Sequence, residues 1–300
     1  MKITKAIITA AGRGTRFLPV SKAFQKEMVP IMEKPQLQWV IEETIESGIT
    51  DIAVVVREGV DTLKNYLNYN RSLWKHLEKN HKVHLLDSWV NLKKKAKITL
   101  FYQKNNDPYG NGTPFIIAKN FVKGKPFAAL WGDDIMVHTD KDKPTCLKQM
   151  MNYFEMYNPS AVMSVFKVKP DEIEKYGSYE YFSKKEERVP FQAKKLIEKP
   201  KREKAPSFMA NACRFVLSYE IIEELERKIH GKGNEIWLTD AVNRLIQKRK
   251  IVMAPPWQGS EWVPVGDPIQ WLKANIVVAM NEEKYKDVTR RILKEIENKR

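Results

Sequence analysis

The chain has 300 residues, enough for one large or two modest domains, and at 43% hydrophobic and 30% charged it has the composition of a globular protein. No apolar run approaches the roughly 18 residues that span a bilayer, which argues against a membrane partner. Lys and Arg number 52 against 37 Asp and Glu, a net charge of +15 that favours anionic partners; the basic runs at 93–95, 194–195, 199–204 and 248–250 lack the interleaved aromatics of a nucleic-acid face and read as solvated surface.

Taken in chain order, Lys5 to Ala10 is β-branched and apolar and reads as the first core strand. It has a superficial likeness to a signal peptide, but the apolar stretch is short and runs straight into a glycine turn. Gly12 and Gly14 in that turn lack a Cβ, so backbone amides can face an anion held close to the main chain. Arg16 offers a planar fork to phosphate oxygens and Lys26 a compact point charge, while Lys22 reads equally as surface charge or as a second phosphate contact. The loop matches neither common phosphate motif. Phe17 stands where a dinucleotide fingerprint needs its third glycine, and no GxxxxGK[ST] occurs. Pro35 at the first helical position opens a helix from Gln36 to Ser47 that stops at Gly48, and Asp51 to Arg57 returns to strand character, completing a βαβ unit.

A helical stretch from Asp61, a polar, helical insert from Ser72 to Lys95 and a strand from Ile98 to Gln103 come next. The loop around Gly110 leads into a short helix ending at Lys119, and the strand Phe127 to Trp131 closes on Gly132, Asp133 and Asp134. A helix from Thr145 to Tyr157 and an apolar strand from Ala161 continue the alternation, which predicts an α/β fold with a parallel sheet covered on both faces. From about Gly177 the texture changes to short antiparallel strands, at Gly177 to Phe182, Ala193 to Pro200 and Met209 to Leu217, built onto the first sheet. Helices from Ile269 to Met280 and from Glu282 end the chain, and no internal repeat occurs.

Ligands of open parallel sheets bind beyond the carboxyl ends of the strands, where the Gly12 loop, the Gly110 loop and Asp133 all fall. Asp133 and Asp134 are the candidates for a divalent metal: carboxylates suit Mg²⁺, which takes one or two protein oxygens and completes its shell with phosphate and water. The same pair also reads as a turn or cap signal.

Gly12 to Met28 resembles the GxGTRxLPxTKxxPKEM signature of the bacterial and archaeal UTP:glucose-1-phosphate uridylyltransferases, in the sugar-1-phosphate nucleotidylyltransferase superfamily. The likeness continues in order through Glu33 to Ile49, Lys175 to Ser178, Leu196 to Pro200 and Gly233 to Val242. The resemblance implies a Rossmann-like three-layer fold with a mixed, mainly parallel central sheet and a small antiparallel sugar-side subdomain. It also implies a single transferase domain over 1–300, with 1–170 mainly nucleotide-binding, 171–268 mainly sugar-binding and 269–300 helical.

The activity it implies is attack of a sugar 1-phosphate on the α-phosphorus of UTP, releasing pyrophosphate, with Mg²⁺ as cofactor. By motif match, Ala11, Gly12, Gly14, Thr15 and Gly110 would hold the nucleotide, and Gln103 would read the pyrimidine edge. Arg16 and Lys26 would be catalytic, Asp133 the metal ligand, and Gly177, Glu198 and Lys199 the sugar-phosphate site. The implied partners are the two substrates and further copies of the chain, as a dimer or tetramer; no nucleic acid or membrane is expected.

Four departures from the family pattern stand out: Gln25 in place of proline before the catalytic lysine, Pro264 where a second metal aspartate would be, Cys213 in place of a glycine, and Asn111 to Pro114 in place of LeuGlyHisAla. Gln25 predicts a more mobile loop, and Pro264 leaves Asp134, Asp267 or no second ligand as the alternatives. A different nucleotide or hexose phosphate, and a non-catalytic regulatory relative, therefore remain competing readings. Asp240 reads as a helix cap, and Trp237 and Trp271 as core or subunit contacts. The two cysteines, Cys146 and Cys213, form no CxxC pattern and predict a reduced, cytoplasmic setting.

Overall fold

The computed structural model describes residues 1–299. The first unit is β1 (Lys5–Ala10), a two-residue hairpin of β2 (Pro30–Ile31) and β3 (Lys34–Pro35), α1 (Gln36–Glu46) and β4 (Asp51–Arg57). Pro35 is the residue capping α1 and not its first helical residue, and Gly48 takes φ 94° to turn the chain out of the helix. The insert folds as α2 (Thr62–Leu67), α3 (Arg71–Lys79) and α4 (Asp87–Lys95), followed by β5 (Lys97–Gln103). Two short helices, α5 (Thr113–Ile117) and α6 (Lys119–Val122), lead to β6 (Phe127–Trp131) and β7 (Asp134–His138). Then come α7 (Cys146–Tyr157), capped by the Thr145 side chain, and β8 (Ala161–Lys167). The remaining elements are β9 (Ser178–Tyr181), β10 (Ala193–Ile197), β11 (Met209–Leu217), α8 (Glu220–Glu226), α9 (Leu238–Gln247), β12 (Val252–Met253), β13 (Ser260–Pro264), α10 (Pro268–Asn281) and α11 (Glu283–Glu297).

One nine-stranded sheet organises these elements, in the order β10-β9-β11-β6-β1-β4-β5, with β8 beside β11 and β12 beside β8. β5, β4, β1 and β6 run parallel, as the apolar runs between helices predict, with Ile8 facing Val54 on one side and Leu130 on the other. Alternate residues feed two cores: Ile8 joins α1, α7 and α10, whereas Ile7 joins α5, α8 and α9. Three layers result, because each strand side chain is buried under helices on one face or the other.

β11 is the element whose place the residue pattern does not disclose. It lies in the middle of the main sheet, antiparallel to β6 through residues 214–217 and antiparallel to β8 along both its ends. Its other end meets β9 through Ala210 and Ser178. Between these contacts the ladder is irregular, with a register shift between Asn211 and Phe215. The sheet therefore parts at residues 211–213, beside the carboxyl ends of β1 and β6, and that parting is one wall of the main cleft. A further two-stranded ladder, β7 with β13, sets Asp134 opposite Pro264.

Candidate active site

A cleft of about 690 Å³ opens at the carboxyl ends of the parallel strands, where strand geometry delivers loop backbone and not packed side chains. Ten of the twelve residues expected from the sequence line it: Ala11, Gly12, Arg16 and Lys26 on the glycine loop, Gln103 and Gly110 at and beyond the end of β5, Asp133 at its floor, and Gly177, Glu198 and Lys199 across from them. Gly14 and Thr15 lie back from the wall. Gly14, at φ 63°, turns the chain, its carbonyl accepting from the Phe17 amide at 2.9 Å and the Ser21 hydroxyl at 2.7 Å. Phe17, buried beneath, anchors the turn.

Lys26 and Asp133 form the centre of the site. Their ammonium and carboxylate are in direct contact, and Glu27 Oε1 is 4.0 Å from the same nitrogen. Gly12 leaves Lys26 its place, since a Cβ would lie 2.9 Å from Lys26 Cε and displace the end of that side chain. Burial alone would lower the Lys26 pKa, but the charges of Asp133 and Glu27 outweigh it and hold it above the ordinary lysine value. Burial likewise opposes ionisation of Asp133, but the Lys26 charge and hydrogen bond reverse this and keep its carboxyl below the usual range. Glu27, with Oε2 unpartnered among the described residues, is pushed up to about 7 by burial, and Asp134 to about 7 by burial and the neighbouring Asp133 charge. Of these three neighbouring carboxylates, Asp133 is the one held strongly anionic.

The carboxylates considered as replacements at the Pro264 departure are already engaged. Asp134 Oδ1 accepts from the Val265 amide at 3.3 Å, and Asp267 Oδ1 caps α10 by accepting from the Ile269 and Gln270 amides at 3.1 and 3.0 Å. Among the described residues no group of three ligating side chains is placed to hold a metal. A donor set of this size fits Mg²⁺, which Asp133 would anchor and phosphate and water would otherwise coordinate. Arg16 reaches the cleft by lying against Gly266, where a Cβ would come within 2.9 Å of its guanidinium. Gln25, expected to loosen the loop, holds φ −67°, the angle a proline would impose, and its buried carboxamide accepts from Thr62 Oγ1 at 3.2 Å.

Asp133 is held from behind. Arg214 on β11 is fully buried; its Nε and Nη2 donate to Glu43 Oε2 of α1 at 2.9 and 2.7 Å, and Nη2 also donates to the Asp134 carbonyl at 3.1 Å. Nη1 donates to the Trp131 carbonyl at 3.4 Å. One side chain thereby brackets the loop that carries Asp133. Gly132 completes the bracket: its amide donates to the Thr9 carbonyl at 2.9 Å, which a Cβ would approach to 2.7 Å.

Across the cleft, Thr239 Oγ1 donates to Glu198 Oε2 at 2.9 Å and orients the carboxylate. Lys199 adopts φ 45° and lies 5.7 Å from the Trp237 ring centroid. Gly177 leaves room between Leu196, Asn211 and Glu198. At the end of β5, Gln103 is buried and donates to the Pro108 carbonyl at 3.3 Å. Gly110, at φ 130°, lies so close to Ile236 that a Cβ would come 2.3 Å from its carbonyl oxygen.

With this geometry in place, comparison with known proteins identifies the family. A model of the nucleotidyl transferase family matches residues 5–281. The chain belongs to that family. Among nucleotidyl transferases, the UTP–glucose-1-phosphate uridylyltransferase of Streptococcus pneumoniae is 36% identical over 286 residues, 95% of this chain and 93% of its own. The Bacillus subtilis protein of the same name is 35% identical over 287 residues, 95% of this chain and 94% of its own. A UDP-glucose pyrophosphorylase solved with UDP-glucose superposes with a TM-score of 0.81 at 29% identity, over 93% of this chain and all of its own. UTP-bound UGPase from Acinetobacter baumannii gives 0.85 at 28%, over 97% and 98%.

The cleft also contains residues the sequence did not single out. Trp131, Trp262 and Tyr109 line it, and Trp237, expected in the core or at a subunit contact, lines it as well. An aromatic residue in a sequence carries no mark of which surface it faces. Trp271, expected in the core or at a subunit contact, is partly buried against the first core and donates to the Pro30 carbonyl at 2.8 Å. Asp240 lies in the first turn of α9, three residues beyond the cap position it was expected to take, which Trp237 fills.

Proposed function

We propose that the chain is a UTP:glucose-1-phosphate uridylyltransferase, making UDP-glucose and pyrophosphate. The observation that carries this reading is the convergence in one cleft of Lys26 and Asp133 with Glu198 and Lys199, in a chain that matches uridylyltransferases over nearly its full length.

The chemistry asks for alignment and charge neutralisation more than for proton transfer, since the sugar phosphate is already an ionised nucleophile. The amides after β1 approach the triphosphate closely because Gly12 has no side chain. Lys26, paired with Asp133, gains a second set of anionic oxygens when the triphosphate enters, and with Arg16 it stabilises charge on the α-phosphorus and the departing pyrophosphate. Asp133 would hold Mg²⁺, which when bound neutralises phosphate charge. Lys199 meets the sugar phosphate, Glu198, set by Thr239, accepts from sugar hydroxyls, and Gln103 faces the uracil edge. Residues 1–170 supply most nucleotide contacts and 171–268 most sugar contacts.

Self-association is part of the proposal. α11 leaves Val288, Ile292 and Ile296 exposed at 46, 48 and 52%, a stripe four residues apart that a second copy would cover. Light scattering on Ile292→Glu would give a smaller assembly than the parent chain; an unchanged mass places the contact elsewhere. Two buried cysteines without a disulfide among the described residues suit a cytoplasmic setting, and no described helix is long and apolar enough to cross a membrane.

The decisive assay measures pyrophosphate release with Mg²⁺, glucose 1-phosphate and each common nucleoside triphosphate in turn. Release is expected with UTP. Release with dTTP alone would move the chain to another nucleotide, and none with any triphosphate or sugar phosphate would remove the enzymatic reading.

A further inference from the structure

The glycine loop has two sides. A second cavity, of about 350 Å³, lies across it from the main cleft, and Gly12 lines both. Three segments wall it: Arg13 at the loop apex, Lys22 and Gln25 on the turns that follow, and Arg57, Asp61 and Thr62 beyond the end of β4. Arg13 occupies the variable position of the loop signature. Arg57 is fixed beneath the loop by donating Nη2 to the Ala11 carbonyl.

The charges here are out of balance. Asp61 is the one carboxylate on the wall, and its own near partner is Lys64 at 3.9 Å, outside the cavity. Among the described residues no carboxylate lies within ion-pairing distance of Arg13, Lys22 or Arg57. Burial and the neighbouring Arg13 charge push the Arg57 pKa down and outweigh the opposing charge of Glu27, as expected of two guanidinium groups set close together. Gln25 adds a donor: it is 8% exposed, its Oε1 is occupied by Thr62, and its Nε2 has no partner among the described residues. Two planar cationic forks, an ammonium and an amide donor around one small cavity match a compact polyanion with several oxygens.

We propose that this outer cavity is an anion site for inorganic pyrophosphate, separated from the reaction cleft only by the glycine loop. Its place in turnover rests on the uridylyltransferase reading: pyrophosphate expelled over the loop would be received on its far side by Arg13, Lys22 and Arg57, leaving the cleft clear of the product that drives the reverse reaction. The binding itself does not rest on that reading.

Isothermal titration of inorganic pyrophosphate, without divalent metal, into the full chain tests the site. Four proteins are compared: the parent, Lys26→Ala, Arg13→Leu, and Arg13→Leu with Arg57→Gln, where glutamine keeps a donor for the Ala11 carbonyl. Circular dichroism confirms that each is folded. The parent is expected to bind, Lys26→Ala to bind within about threefold of it, and the double variant at least about tenfold more weakly, with a shallower salt dependence and Arg13→Leu in between. Three results overturn the proposal: no binding to the parent, equal binding to the double variant, or loss of binding in Lys26→Ala, which would place the anion in the main cleft. A protein that releases no pyrophosphate from any triphosphate, yet shows this pattern, refutes the reaction and leaves the site standing.

Discussion

Replacing Arg214 with methionine removes the guanidinium and keeps most of the side-chain volume. Glu43, 7% exposed and with Oε1 already unpartnered among the described residues, is then left as an isolated buried charge. Breaking a buried pair from one side costs about 3–5 kcal/mol, because the surviving ion keeps its desolvation penalty and loses its compensation. For 300 residues the unfolding entropy is about 0.6 kcal/mol/K, so this loss lowers Tm by about 5–8 °C. The carbonyls of Trp131 and Asp134 lose a donor at the same time, so Asp133 is no longer held against Lys26 and kcat falls at temperatures where the variant is still folded. The double variant Arg214→Met with Glu43→Leu restores most of the stability, to within about 1–2 kcal/mol of the parent, since an apolar pair replaces an ionic one. It does not restore kcat. Calorimetry and urea titration read the first effect and steady-state kinetics the second. A single variant within about 1 kcal/mol of the parent, or a double variant as unstable as the single, would refute the reasoning.

Lys26→Ala is expected to lower turnover far more than it weakens UTP binding, because its charge acts most where charge develops; equal losses in the two constants would show a ground-state role only. Gly110→Ala forces the loop off Ile236 and is expected to cost about 2–3 kcal/mol and to reduce kcat/KM at least tenfold, read by thermal melts and initial rates. Burial alone would raise the Glu224 carboxyl, but hydrogen bonds from Lys248 and Arg227 hold it below the ordinary value. Its folded pKa being depressed, its contribution to stability is present above the unfolded value and is lost as pH falls through the folded one. Glu224→Gln should therefore flatten the acid limb of a Tm-against-pH curve and leave the slope near neutrality alone; an unchanged acid limb would contradict this.

The parallel half of the sheet was legible because β1, β4, β5 and β6 are unbroken apolar runs between helical patterns, and such runs are buried on both faces. The glycine loop was legible because Gly12 and Gly14 follow the first strand directly. β11 was recognised as a strand but assigned to the sugar side, since an apolar run says nothing about its neighbours in the sheet. The β7–β13 ladder escaped notice: each strand is five residues long, and they lie more than a hundred residues apart in the chain. Arg214 gave no local signal either, being a single charge inside an apolar strand, which only its partner Glu43 on a distant helix explains.

The position of β11 bears on how this protein can be divided. Residues 214–217 cover the edge of β6, and they come from the half of the chain proposed to bind the sugar. A fragment ending near residue 170 would keep the glycine loop and Asp133 but expose the backbone of Phe127 to Leu130 as a bare, apolar edge. Such an edge recruits other strands, so the fragment should aggregate instead of binding nucleotide. Co-expression of the two pieces, by contrast, could recover soluble protein by re-inserting the strand, as split reporters do.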